Sequence, residues 1–273
     1  TMELSNLKIV LDCANGATYK VAPSVFKELG AKVIKLSCEP DGVNINANCG
    51  STYPKHLIET VLKEKADFGI AFDGDGDRVL FVDRNGTLYN GDKLIYVIVR
   101  GLIMRQKHIQ GVVGTVMTNM AMENALQKLD IQLVRSKVGD RYVLEELIKR
   151  KWNIGGEASG HILCLNKHST GDGIISALQI IAAIMILGKD LEQIIDWKEY
   201  PQTLINVRLN KDLTNWDELS RDTIIEAKNS LGKNGRVVVR PSGTEPLVRI
   251  MVEAENIHDS KKWAETIANK ITG

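Results

Sequence analysis

The 273-residue chain is 44% hydrophobic and 25% charged, ordinary proportions for a soluble globular protein. It has length for more than one domain, since single cores rarely grow past roughly 250–300 residues, and its net charge of +1 argues against nucleic acid or an anionic membrane as the main partner. Four widely spaced cysteines, Cys13, Cys38, Cys49 and Cys164, form no CxxC pair, which points to reduced thiols in a cytoplasmic protein and not to a disulfide frame or zinc site.

In chain order, Thr1-Met2-Glu3-Leu4 lacks the basic and apolar regions of a signal peptide. Opening at Thr1 and reaching a strand almost at once, the chain reads as a piece cut at a domain boundary. Lys8 to Cys13 predicts a strand, Pro23 to Leu29 a helix and Lys32 to Leu36 a second strand, a βαβ-like unit. Its loop Asn15-Gly16-Ala17-Thr18 lacks the G-x-G-x-x-G fingerprint, so dinucleotide binding is not expected. A long polar loop from Asp41 to Thr52 has a length that is often functional. Pro54 opens a helix to about Lys65, and Ala66 to Phe72 and Val79 to Asp83 predict buried strands.

Between those strands stands Asp73-Gly74-Asp75-Gly76-Asp77-Arg78, which the pattern places on a loop at a sheet edge. Three carboxylates so close repel one another unless a cation sits among them, and oxygen-only ligands favour Mg²⁺, Mn²⁺ or Ca²⁺ over zinc. The glycines let the backbone curl so that the side chains converge. An EF-hand is excluded, because Arg78 stands where glycine is needed, Arg84 stands where Glu is needed, and strands flank the loop. Few other ligands are at hand, which suits Mg²⁺ with waters and a phosphate completing its shell, and Arg78 would grip that phosphate. The plainer alternative is a solvated acidic turn.

From Gly91 the pattern restarts. Asp92 is expected to cap a helix through about Arg105, followed by strand Gly111 to Val116, helix Asn119 to Leu129 and strand Ile131 to Arg135. Gly139-Asp140 opens another helix, and strands bracket Gly155 to His161. The apolar stretch Gly173 to Leu187 is shorter than the roughly 20 residues of a membrane span and predicts a buried helix. After a break at Trp197, Tyr200 and Pro201, strand, helix, two strands and a final helix from Asp259 suggest an α+β domain.

Two further stretches carry chemistry. In Gly155-Gly156-Glu157-Ala158-Ser159-Gly160-His161, the carboxylate of Glu157 and the hydroxyl of Ser159 share a face and suit sugar hydroxyls, although a plain hairpin turn has the same composition. In Arg240-Pro241-Ser242-Gly243-Thr244-Glu245-Pro246, backbone N–H groups and two hydroxyls form an anion-binding nest. Arg240 or Arg249 would add a bidentate grip on phosphate. The alternative there is a structural turn with Arg240 paired to Glu245.

These three motifs, in this order, resemble the α-D-phosphohexomutase family over the whole chain. The resemblance implies a metal loop at Asp73, Asp75 and Asp77, and Arg78 acting beside it. It implies a sugar loop from Gly156 to His161, with Glu157 and Ser159 on sugar hydroxyls and His161 as a general base or only a hydrogen-bonded loop residue. It implies a phosphate loop with Arg240, Ser242, Gly243, Thr244 and Arg249. Asp41 to Asn46, Cys49 to Thr52, Val138 to Val143 and Thr170 to Gly173 are similar to bacterial members that interconvert glucosamine 6-phosphate and glucosamine 1-phosphate. Those members use Mg²⁺, a phosphoserine and a glucosamine 1,6-bisphosphate intermediate, on the route to UDP-N-acetylglucosamine and the cell wall.

The fold so implied is α/β, with two related three-layer units and mixed sheets (1–90 and 91–198), plus a smaller C-terminal α+β domain (199–273). The family's phosphoserine lies in a first domain, in a Ser-His-Asn-Pro type loop. No such stretch occurs here, so the chain resembles domains two to four and is expected to bind phosphosugar without turning it over alone. Rival readings are a phosphomannomutase or phosphoglucomutase of the same family, and a non-catalytic phosphosugar-binding protein.

Overall fold

Ile9-Val10-Leu11 is apolar at every residue, the mark of a strand covered on both faces. It lies inside a five-stranded sheet. The computed structural model describes residues 2–208, 215–242 and 245–272. In the first sheet β1 (Lys8–Asp12) pairs in parallel with β2 (Lys32–Leu36) and with β3 (Phe68–Phe72). Then β4 (Val79–Asp83) and β5 (Leu88–Tyr89) turn antiparallel, giving the order β2-β1-β3-β4-β5. Helix α1 (Val21–Glu28) makes the crossover from β1 to β2, and α2 (Lys55–Glu64) that to β3. One turn apart on α2, Leu57 and Val61 pack with Val10, Ala71, Leu80 and Val82 on one face of the sheet.

The second sheet repeats that plan. Its strands are β6 (Gly111–Thr115), β7 (Gln132–Ser136), β8 (Ile154–Gly156) and β9 (Ile162–Cys164), in the order β7-β6-β8-β9. The first three run parallel and β9 antiparallel, as in the first sheet. The kinship expected from layout alone is therefore a shared strand order. Helix α4 (Met120–Gln127) lies between β6 and β7, and α5 (Asp140–Arg150) lays Val143 and Leu147 on Val113 and Leu163.

Helices α3 (Gly91–Met104) and α6 (Gly173–Leu187) pack on each other and reach β4 of the first sheet and β8 and β9 of the second. Each is apolar over much of its surface, and that is the composition an inner layer requires. The cap of α3 differs from expectation: Asn90 accepts from the Lys93 N–H at 3.2 Å, while Asp92 is buried in the first turn. Asp172 caps α6 as expected of a residue at its start, accepting from Ile175 N–H at 2.9 Å. A short helix α7 (Leu191–Ile194) follows. Among the described residues, no helix is long and apolar enough to cross a membrane.

Contacts divide the chain into two compact units, Thr1–Thr118 with Ala125–Asp196, and Asn119–Asn124 with Trp197–Gly273. The first holds both mixed sheets. The second is built on an antiparallel sheet ordered β10-β12-β11, from β10 (Gln202–Arg208), β11 (Gly235–Pro241) and β12 (Leu247–Ala254). Helices α8 (Trp216–Leu231) and α9 (Ile257–Thr272) supply Ala227, Trp263, Ala264, Ile267 and Ile271 to a core completed by Val248, Ile250 and Val252. That is the α+β arrangement the strand and helix order called for.

Candidate active site

Asp73 to Arg78 connect β3 to β4. It is the strand-to-strand loop the sequence suggested, lying at the end of the strands, with β1 and β5 flanking the hairpin. Its two glycines serve different ends. Gly76 has φ +80°, a conformation that a side chain disfavours, whereas Gly74 is a matter of space: a Cβ there would lie 2.6 Å from Asn46 Nδ2.

One carboxylate oxygen from each of Asp73, Asp75 and Asp77 lies within 4.8 Å of the others. Asp73 is buried, Asp77 half-buried and Asp75 exposed, so the triad runs from the protein's interior to solvent. Asp73 is anchored by the Arg78 N–H at 3.0 Å. Arg78 Nε stands 3.7 Å from Asp73 Oδ2 and 3.9 Å from Asp77 Oδ1, close enough for attraction and too far for a hydrogen bond. Burial pushes the Asp73 carboxyl up to about 6 against that N–H, and Asp75 and Asp77 add to the rise. Asp77 Oδ1 is buried with no hydrogen-bond partner among the described residues. Crowded, oxygen-only donors with an unsatisfied buried oxygen fit a hard divalent ion.

The glycine-rich bend connects β8 to β9 and therefore holds the same place in the second sheet as the acidic loop holds in the first. The two loops meet. Arg78 and His161 form an antiparallel bridge, and Val79 N–H donates to Gly160 O at 3.0 Å. His161, buried, sets Nε2 3.3 Å from Asp77 Oδ2, and its Nδ1 has no partner among the described residues. Asp73, Asp75, Asp77, Arg78 and His161 are thus brought together.

Glu157 is held differently from a free sugar ligand, because its Oε1 accepts the Gly139 N–H at 3.0 Å. Ser159 is exposed on the same bend. Sequence reasoning alone gave Gly139 no task beyond opening a helix, and gave Gly173 none at the site. Gly139 orients Glu157, and Gly173, opening α6, donates its N–H to Gly76 O at 2.9 Å. The signal for both was present only as motif resemblance in Val138 to Val143 and Thr170 to Gly173.

In the second unit, Arg240 in β11 stands directly opposite Arg249 in β12. Like charges at paired positions disfavour the pairing, and an anion between them reverses that sign. Glu245 partners Arg249 at 3.2 Å, not Arg240, and Ser242 N–H donates to Leu247 O at 2.8 Å. Arg249 Nε is buried without a hydrogen-bond partner among the described residues. Gly243 and Thr244 lie outside the described residues.

Three models of one family match along the chain. They are the phosphoglucomutase/phosphomannomutase alpha/beta/alpha domain II over residues 1–86, alpha/beta/alpha domain III over residues 90–200, and the C-terminal domain over residues 204–270. The chain belongs to the phosphoglucomutase/phosphomannomutase family. A phosphoglucosamine mutase of Neisseria subflava is 58% identical over 273 residues, which are 100% of this chain and 61% of that protein. The chain therefore spans about three-fifths of the length of such family members. Among solved structures, a phosphoglucomutase/phosphomannomutase family protein from Burkholderia thailandensis superposes with TM-score 0.82 at 21% identity, covering 99% of this chain and 61% of that one. An N-acetylphosphoglucosamine mutase of Aspergillus fumigatus, in complex with GlcNAc-6P and magnesium, gives TM-score 0.78 at 20% identity over 98% of this chain and 66% of that one. At such identities the likeness is one of fold.

Proposed function

We propose that the chain carries the metal, sugar and phosphate loops of a phosphoglucosamine mutase, in three domains spanning 1–90, 91–198 and 199–273. The whole enzyme would interconvert glucosamine 6-phosphate and glucosamine 1-phosphate through a phosphoserine and glucosamine 1,6-bisphosphate. The observation that supports the reading is the bridge between Arg78 and His161, which brings the loop of Asp73, Asp75 and Asp77 beside the bend of Glu157 and Ser159. Identity of 58% to a phosphoglucosamine mutase favours a glucosamine phosphate over other hexose phosphates.

Asp73, Asp75 and Asp77 would hold Mg²⁺. Once bound, the ion neutralises charge that gathers on a transferring phosphoryl group. Arg78, already beside Asp73 and Asp77, would steady the same group. The second Glu157 oxygen and the Ser159 hydroxyl hold sugar hydroxyls, while Gly139 keeps the carboxylate aimed. His161 orients Asp77 through Nε2, and this positioning role suits a buried ring better than proton transfer does. Arg240, Ser242, Gly243, Thr244 and Arg249 hold the phosphate that does not react.

The 273 residues contain no Ser-His-Asn-Pro stretch, so turnover is expected only where a nucleophile-bearing segment is present. In such an enzyme, Asp75→Asn should abolish mutase turnover on glucosamine 6-phosphate with a bisphosphate activator and leave the circular dichroism spectrum unchanged. Undiminished turnover at limiting Mg²⁺ would remove the metal assignment. Higher rates on mannose or glucose phosphates would move the substrate to a neighbouring branch of the family.

A further inference from the structure

At the end of the second sheet away from the glycine-rich bend lies a cavity that phosphoryl transfer does not use. Strand β6 starts at Gly111 and β8 at Ile154, and both residues line a hollow of about 410 Å³. That volume falls within the roughly 300–1,000 Å³ of small-molecule sites. Three segments distant along the chain close it: the connection from α3 to β6, that from α5 to β8, and the turn that follows β9.

The walls are fixed by backbone bonds and by one aromatic ring. Leu165 N–H donates to Asn153 O at 2.8 Å, which ties the turn after β9 to the start of β8. Lys167 N–H donates to Cys164 O at 2.7 Å, and Lys107 N–H to Leu102 O at 3.0 Å. Trp152 packs on the core of Val113, Val143, Leu147 and Leu163, and its ring lies so close over Gly111 that no Cβ would fit there. Glycine at 111 is what lets an indole form this wall.

The charge of the hollow has one sign. Arg105, Lys107, Lys151 and Lys167 line it, with His108 beside them, and no carboxylate does. A net charge of +1 for the chain makes this a local property and not a general basicity. Along α5 the basic side chains are matched: Arg141 with Glu145 at 2.8 Å, and Lys149 and Arg150 with Glu146 at 3.4 Å and 3.1 Å. Among the described residues, the four cations of the hollow have no such partner. Helix C-termini account for the sign at Arg105 and Lys151, which end α3 and α5. Lys107 and Lys167 stand on connecting segments, where no helix end calls for a cation. A cleft lined by one sign of charge between low-dielectric walls concentrates the opposite ion.

We propose that this hollow binds a nucleotide, with its phosphates on Arg105, Lys107, Lys151 and Lys167 and its base against Trp152. Phosphates supply the negative charge that the four side chains lack. The indole gives a planar base an apolar surface of matching shape. Gln110, Asn153 and Asn166 line the same hollow and offer amide donors and acceptors to the edge of a base.

The test is isothermal titration of the 273-residue chain with ATP, UTP and inorganic tripolyphosphate, in buffer free of Mg²⁺ so that no ion in the acidic loop draws the phosphates there. One site should bind the nucleotides, several-fold more tightly than tripolyphosphate, which has no base. Affinity should fall as salt rises. Lys151→Gln and Lys167→Gln, both at exposed positions, should each weaken nucleotide binding about three- to tenfold. Trp152→Leu should bring ATP down to the affinity of tripolyphosphate, and if that variant does not fold, the two lysine variants still decide the matter. Arg240→Met is expected to leave nucleotide binding unchanged, since the facing arginines of β11 and β12 belong to the other unit. Absence of binding, tripolyphosphate bound as tightly as ATP, or a loss in Arg240→Met in place of the lysine variants would overturn the proposal. None of these readouts involves metal or sugar, so they stand apart from the mutase reading.

Discussion

Arg78 and His161 are each the last residue before the fourth strand of their own sheet, and they meet each other in an antiparallel bridge. Two sheets with one strand order, set so that equivalent connections touch, place the acidic loop against the glycine-rich bend. His161 Nε2 then reaches Asp77 Oδ2 at 3.3 Å. The site is thus built at the junction of a repeated plan.

Removing the ring should act on both sides of that junction. His161→Ala is expected to lower stability by about 1–3 kcal/mol, through a lost buried side chain and an Asp77 oxygen left without the ring beside it. Mg²⁺ affinity should fall roughly 10–100-fold, the scale on which residues that orient metal ligands act. Denaturant melts and isothermal titration of Mg²⁺ check the two effects separately. An unchanged affinity would leave His161 a structural residue only.

The raised Asp73 carboxyl sets a pH dependence. With a folded value of about 6 and an ordinary value of 3.8, the folded state holds more protons than the unfolded state between those limits. The metal-free chain should therefore lose stability from this group as pH rises from about 4 to 6. Mg²⁺ binding requires the ionised form, so its affinity should drop by about tenfold per pH unit below about 6. Titrations at pH 7, 6 and 5 measure the slope.

The facing arginines predict an anion effect. Phosphate should raise the thermal midpoint of the wild-type chain, and Arg240→Met should shrink that rise. Without phosphate the same variant should be as stable as wild type or more so, by about 0.2–1 kcal/mol, because it removes a like-charge pair. Differential scanning calorimetry with and without phosphate reads both. A variant that keeps the full phosphate response would place the anion elsewhere.

In the second unit, Glu253 is fully buried and rests on Arg236 at 2.7 Å and on the Met120 N–H at 2.7 Å. Arg236→Ala would leave that carboxylate unpaired and should cost about 3–5 kcal/mol. Arg236→Ala with Glu253→Gln should recover part of the loss, since the neutral amide tolerates burial better. Urea unfolding of the single and double variants measures the difference.

Strand and helix order was legible because apolar runs, Pro54 and the turn residues act locally, over one element at a time. The acidic triad was legible for the same reason: alternating carboxylates and glycines keep their meaning wherever the loop lies. The cap of α3 was misread because Asn90 and Asp92 are both competent caps by type. Backbone geometry chose between them, leaving Asp92 inside the first turn. The short β5 that covers β4 was not legible, because strand order is not a local property.

By itself, the amino-acid sequence determined which chemical groups stand together in each loop, three carboxylates in one, a carboxylate and a hydroxyl in another, hydroxyls and arginines in the third, since short-range spacing dictates local shape. Only the tertiary structure decided which groups meet: Asp77 with His161, and Glu157 with Gly139. Those partners are distant along the chain, and sheet order and helix packing, not neighbouring residues, set the distances between them.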